Sequence, residues 1–205
     1  MDMDLPIDIE TVKGFLAPDE GAALYEAAFD RSRYGACLEI GSYCGKSTVY
    51  LGTACKKNGG VLFAVDHHYG SEENQQGWEH HDAALFDPET GRLNTLPEFR
   101  RTLRRSDLED TVVPIVAPSK VAARYWATPL QFAFIDGGHA LEHALNDYRG
   151  WAPHVVQGGI LAIHDVFPSP KDGGRPPFEI YKMALASQLF EEIAAVRSLR
   201  LLRRL

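Results

Sequence analysis

The sequence predicts an α/β fold: a doubly wound, mostly parallel sheet with helices on both faces. Three observations predict it. Apolar segments of four to seven residues alternate with helical stretches, the order that a parallel sheet with crossover helices requires. Five such strand–helix units follow one another without a Gly/Ser linker, internal repeat or low-complexity tract. Polar residues stand where each apolar segment ends, and ligands of such sheets bind beyond the carboxyl ends of the strands.

Residues 18–33 read as a helix opened by Pro18-Asp19-Glu20, with acids in the first turn and Leu24, Ala27 and Ala28 as one apolar stripe. A short buried strand, 36–40, ends at Gly41. A helix over 46–57 is stopped by Asn58-Gly59-Gly60. A second strand, 61–65, ends at Asp66. Residues 96–105 form a helix with a basic outer face, 111–117 a third strand and 119–126 a helix. The fourth strand, 132–135, ends at Asp136, and a helix over 141–151 is closed by Pro153. The fifth strand, 159–163, ends at His164-Asp165, and 178–187 form a last helix. Residues 193–205 fit an antiparallel hairpin turning at Arg197-Ser198; a helix is the alternative there. Two stretches fall outside this alternation. Residues 67–94 show no clear strand and exceed the ~12–15 residues usual for a structureless loop, and 168–177 follow the fifth strand on the same sheet edge. Both read as lids over the strand-end crevice.

At 205 residues, and roughly 150 per domain, the chain reads as one domain, 1–205. Hydrophobic residues at 45% and charged residues at 24% exclude a disordered or fibrous chain. The longest apolar runs fall far short of the ~20 residues of a membrane span. The acidic start Met1-Asp2-Met3-Asp4 lacks the features of a secretory leader. Cys37, Cys44 and Cys55 sit inside element patterns as small hydrophobes, so a cytoplasmic location is expected. The net charge of −7 lies entirely in the first 30 residues; the other 175 carry 20 acids and 20 bases. No basic field remains to hold a nucleic acid backbone, which favours a small-molecule partner.

The segment Gly41-Ser42-Tyr43-Cys44-Gly45-Lys46-Ser47 is a glycine turn between strand and helix. A triphosphate-binding loop needs four residues between its glycines, and this one has three, with Ile40 in the first glycine position. A nucleoside-binding turn fits better: Asp66 lies 25 residues after Gly41, near the ~20 expected of an acid that accepts from ribose hydroxyls.

Leu38-Glu39-Ile40-Gly41-x-x-x-Gly45-x-Ser47-Thr48 resembles the first motif of class I S-adenosylmethionine-dependent methyltransferases, in the form found in small-molecule O-methyltransferases. Phe134-Ile135-Asp136-Gly137-Gly138-His139, with Asp147, Trp151, Pro153, Gly158-Gly159 and His164-Asp165, resembles the second half of the same group. That half is shared with bacterial natural-product methyltransferases and cephalosporin-hydroxylase-like proteins. The likeness spans about residues 35–167. It implies a Rossmann-like fold and S-adenosylmethionine as cofactor. Glu39 would then meet its methionine end, Asp66 its ribose and Ser119 its adenine, with Gly41, Ser42, Gly45, Ser47, Thr48 and Asp136 completing the site.

Metal-dependent members place an Asp after the fourth strand and an Asp-Asn pair after the fifth; here these are Asp136 and His164-Asp165. The three form the expected metal set, and their imidazole moves preference from magnesium toward manganese, iron or zinc. A divalent ion would lower the acceptor hydroxyl's pKa. His139 replaces the family's lysine base and can take the proton directly, so His139, Asp136 and His164 are the expected catalytic residues. His143, four residues on, reads as a partly exposed helix position. Of His67-His68 and His80-His81, at most one of each pair can face the crevice. The expected reaction is methyl transfer to a hydroxyl of a small metabolite. A metal-dependent hydrolase or hydroxylase on the same scaffold is the alternative. A homodimer through the apolar N-terminal helix completes the expectations.

Overall fold

The computed structural model describes residues 3–71, 82–138, 140–169 and 171–205. Its strands are β1 (Ala36–Ile40), β2 (Leu62–Asp66), β3 (Phe86–Asp87), β4 (Arg92–Leu93), β5 (Val112–Val116), β6 (Leu130–Ile135), β7 (Val155–Ile163), β8 (Phe190–Val196) and β9 (Leu199–Arg204). Its helices are α1 (Pro18–Ser32), α2 (Lys46–Lys57), α3 (Leu96–Arg105), α4 (Ser119–Ala122), α5 (Leu141–Trp151) and α6 (Pro176–Ala186). Seven strands form one sheet in the order β5-β2-β1-β6-β7-β9-β8, parallel from β5 to β7 and antiparallel through β9 and β8.

The period-2 alternation of strands sorts the core into two layers. Cys37, Ala64, Phe132, Phe134 and Ala162 face Leu24 of α1, Leu51 of α2 and Phe99 of α3. Their neighbours Leu38, Val65, Ala133, Ile135 and Leu161 face Ala144 and Trp151 of α5 and Ile180 of α6. The apolar stripe of α1 (Leu24, Ala27, Ala28) is buried within this chain, so the surface on which a dimer was expected is already covered.

Three expectations change, and the terminal hairpin holds. β7 starts at Val155 instead of 159, because a register shift opposite Leu130–Phe132 lets the strand pass the Gly158-Gly159 irregularity. The 119–126 helix breaks into α4 and a 3-10 turn, Ala123–Tyr125. Residues 67–94 do contain strands: β3 and β4 pair as a two-stranded ladder, with Leu85 and Leu93 buried beside Cys44. The terminus is the hairpin and not the helix. Its turn is Arg197-Ser198, with Arg197 in the left-handed region at φ 47°.

Candidate active site

Strand register builds the site. Ile40 is the partner of Val65 on β2 and of Ile135 on β6, and Ile135 is the partner of Ile163 on β7. The next residue of each strand therefore stands in one row: Asp66, Gly41, Asp136, His164. Backbone bonds carry the ladder into that row, from Gly41 N–H to Val65 C=O (3.0 Å), Asp136 N–H to Ile40 C=O (2.9 Å) and His164 N–H to Ile135 C=O (3.1 Å). Between β1 and β6 the strand order reverses direction, the switch point at which such sheets open a crevice. Gly41 sits there at φ 88°, and a Cβ would lie 2.0 Å from the Asp136 carbonyl oxygen. Only glycine fits that turn.

A cavity of about 1010 Å³ opens over the row, at the upper end of the ~300–1,000 Å³ usual for small-molecule sites. It has room for a nucleoside and a second small molecule. Of the expected site residues, Gly41, Ser42, Ser47, Asp66, Ser119, Asp136, His164 and Asp165 line it. Glu39, Gly45 and Thr48 do not. Glu39 alternates onto the α2 side of β1 and is fully buried, where Ser47 Oγ and Thr48 Oγ1 donate to its two oxygens at 2.5 and 2.6 Å. Burial raises its carboxyl to about 7, against the pull of those two hydroxyls. Gly45, at φ 95°, gives close approach not to a ligand but to α3: its Cβ would meet Thr102 and Phe99 at 3.1 and 3.3 Å.

Asp66 is held from both sides. Tyr43 N–H donates to Oδ2 (2.8 Å) and His68 N–H to Oδ1 (2.7 Å), which fixes the carboxylate while leaving acceptor capacity for a ligand. Ser42 lines the cavity, and its buried Oγ has no hydrogen-bond partner among the described residues. His67 faces the cavity, whereas His68 turns inward onto Phe99 with Nδ1 2.8 Å from Thr95 Oγ1. Ser119 accepts the Trp151 indole N–H at 2.8 Å and bonds to Asp147, whose carboxyl burial raises to about 6. Asp147 and His143, the latter on an exposed part of α5, both line the cavity and are additions to the expected set. The segment Lys13–Leu16 also lines it, and nothing in the sequence tied that stretch to the strand ends.

At the far end of the row, Asp136, His164 and Asp165 bring one donor atom each within 4.8 Å of one another. His164 Nδ1 lies 3.0 Å from Asp136 Oδ1 and 3.5 Å from Asp165 Oδ1, and its Nε2 lies 3.1 Å from Glu20 Oε2. Burial alone would push the imidazole pKa down, but the surrounding carboxylates outweigh it and hold His164 well above its ordinary range. Glu20 is correspondingly drawn down to about 2, since His164 and Ser198 overcome the opposing effect of burial. His139, Trp78, His80 and His81 lie outside the described residues.

A doubly wound sheet with a glycine turn at its switch point and acids along its strand ends has the layout in which such sheets hold a ligand beyond their strand ends. A family profile described as "Methyltransferase domain" matches residues 38–166, well over half of the sequence, and the chain belongs to that family. Solved structures share the fold. An O-methyltransferase from Bacillus cereus in complex with SAH superimposes with a TM-score of 0.64 at 15% identity, over 93% of this chain and 83% of that one. The O-methyltransferase TomG from Streptomyces achromogenes, in complex with SAM, gives 0.61 at 16%, over 93% and 81%. An rRNA methylase from Streptococcus thermophilus gives 0.58 at 14%, over 94% and 99%.

Proposed function

We propose that the chain transfers a methyl group from S-adenosylmethionine to a hydroxyl oxygen of a small acceptor, with a divalent ion held by Asp136, His164 and Asp165. One observation carries the reading: Asp66, Gly41, Asp136 and His164 form a single row under one cavity at the β1/β6 switch point. The nucleoside fits the residues present. Asp66 is fixed to accept from ribose hydroxyls, Ser119 lies on the adenine side, and the Ser42 hydroxyl is a buried group in need of a partner, which costs ~1–3 kcal/mol when left unsatisfied. Glu39 acts from behind, neutral or charged, by tying the end of β1 to the first turn of α2.

The bound cofactor would supply an electrophilic methyl on sulfur. The chain supplies alignment and exclusion of water, which together lower a barrier by up to ~7–11 kcal/mol in well-oriented systems. Phe167 and Gly173 stand on the cavity wall beside Asp165, where they limit water at the acceptor. Two carboxylates and one imidazole suit manganese, iron or zinc better than magnesium, and such an ion would lower the acceptor hydroxyl's pKa. We assign the base to His139, on the sequence resemblance that puts it in the position of the family's lysine. A small acceptor, rather than a nucleic acid, is supported by the charge balance beyond residue 30. Membership of a methyltransferase family favours methyl transfer over the hydrolase or hydroxylase alternative.

Calorimetry with S-adenosylhomocysteine tests the cofactor assignment. Wild type is expected to bind one equivalent. Asp66→Ala removes bonds to a charged group worth about 1.5–3 kcal/mol, a roughly 10- to 150-fold loss of affinity. Equal affinity in the two proteins would remove Asp66 from the site.

A further inference from the structure

The proposed ion site leaves one neighbour without a part in it. Glu20 lies in the first turn of α1, 144 residues from His164, and is as deeply buried as the histidine it meets. It is held rigidly: Oε1 accepts from Ser198 N–H (3.0 Å) and Ser198 Oγ (2.8 Å), while Oε2 accepts from Ala17 N–H (3.3 Å) and meets His164 Nε2 at 3.1 Å. A carboxylate can only accept, so in the metal-free chain Nε2 carries a hydrogen toward Glu20 and Nδ1 carries one toward Asp136 Oδ1, 3.0 Å away. An ion seated between Asp136 and Asp165 would displace the Nδ1 hydrogen and take that lone pair, while Glu20 keeps Nε2–H.

We propose that Glu20 is a positioning residue: it fixes the Nε2–H form of His164, so that Nδ1 joins Asp136 and Asp165 as a ligand for an imidazole-accepting divalent cation. The inference rests on the ion reading above and deepens it, since it makes the nitrogen donor obligatory. A carboxylate that accepts from the far nitrogen of a metal-bound imidazole orients the ring and raises its basicity, and losing such a partner costs about 10- to 100-fold in metal affinity. Glu20 also does this from outside the matched segment 38–166, from α1, which packs on the sheet face that Phe134 and Ala162 share and onto which Asp136 and His164, two residues further on, also fall.

Glu20→Gln is the discriminating change. Its amide oxygen can still accept from Ser198, but its amide nitrogen donates toward Nε2, so the neutral ring keeps its hydrogen on Nδ1, where it blocks the ligand position. Metal-free protein titrated with cobalt(II), followed by its visible absorption, is expected to show a wild-type site and a variant site about 10- to 100-fold weaker. Wild type labelled with nitrogen-15 at histidine and loaded with zinc is expected to show His164 bonded to metal through Nδ1 and protonated at Nε2. That signature needs no variant to fold, and general loosening of the structure would not produce it. Cobalt binding of equal strength in both proteins, or a His164 protonated at Nδ1 in the zinc form, overturns the role of Glu20 alone. No cobalt binding by wild type overturns the ion site and the role of Glu20 with it.

Discussion

Burial decides what a given side chain does here, and Glu39 shows it. As the acid of the first motif it reads as a cofactor contact, yet in the folded chain Ser47 and Thr48 occupy both of its oxygens and no part of it lines the cavity. Its folded pKa of about 7 lies above its ordinary 4.5, so the stability linked to its proton is full below about 4.5 and is lost as pH rises through about 7. Glu39→Gln cannot lose a proton, and a hydroxyl of Ser47 or Thr48 can turn to accept from the amide. Urea unfolding at about pH 5 and about pH 8 is therefore expected to show a smaller fall in stability for the variant than for wild type. An identical fall would mean that Glu39 is ionised throughout. Individual residues were legible where the strand end alone determined their place, as for Asp66, Asp136 and His164. Glu20 was not, because its acid in a first helical turn has an ordinary explanation in the helix dipole, and no local pattern links it to a histidine in the fifth strand unit.

Elements were legible to the extent that their signals are local. α2 stops before Asn58-Gly59-Gly60, α3 carries Pro97 in its first turn, and α5 stops two residues before Pro153. β7 and the β3–β4 ladder depend instead on partners distant in sequence, through a register shift and a two-residue pairing. The β1–α2 turn shows what the local signal means physically. Its first glycine is demanded by the neighbouring strand, as the 2.0 Å approach to the Asp136 carbonyl shows; its second is demanded by α3. Gly41→Ala is expected to cost at least about 1–3 kcal/mol from the left-handed backbone alone, with further loss as β1 and β6 are forced apart. Chemical denaturation would measure it, and an unchanged midpoint would show that the switch point is looser than the contacts imply.

At the scale of the molecule, a twofold alternation and an in-register parallel sheet are enough to gather residues from four separate strand ends under one cavity. The topology was readable because each strand unit ends in a polar residue. The N-terminal wall, Lys13–Leu16, and the docking of α1 against His164 were not, since both are tertiary contacts of a segment that precedes the first strand. The described residues contain no helix long and apolar enough to cross a membrane. Acid concentrated at the N-terminus with neutral balance elsewhere agrees with a small acceptor. A crystal structure with S-adenosylhomocysteine tests the central claim most directly. The ligand is expected over the β1/β6 switch point, its ribose hydroxyls on Asp66 and its sulfur toward Asp136; a nucleoside bound elsewhere on the chain, or turned so that Asp66 touches no ribose, would contradict it.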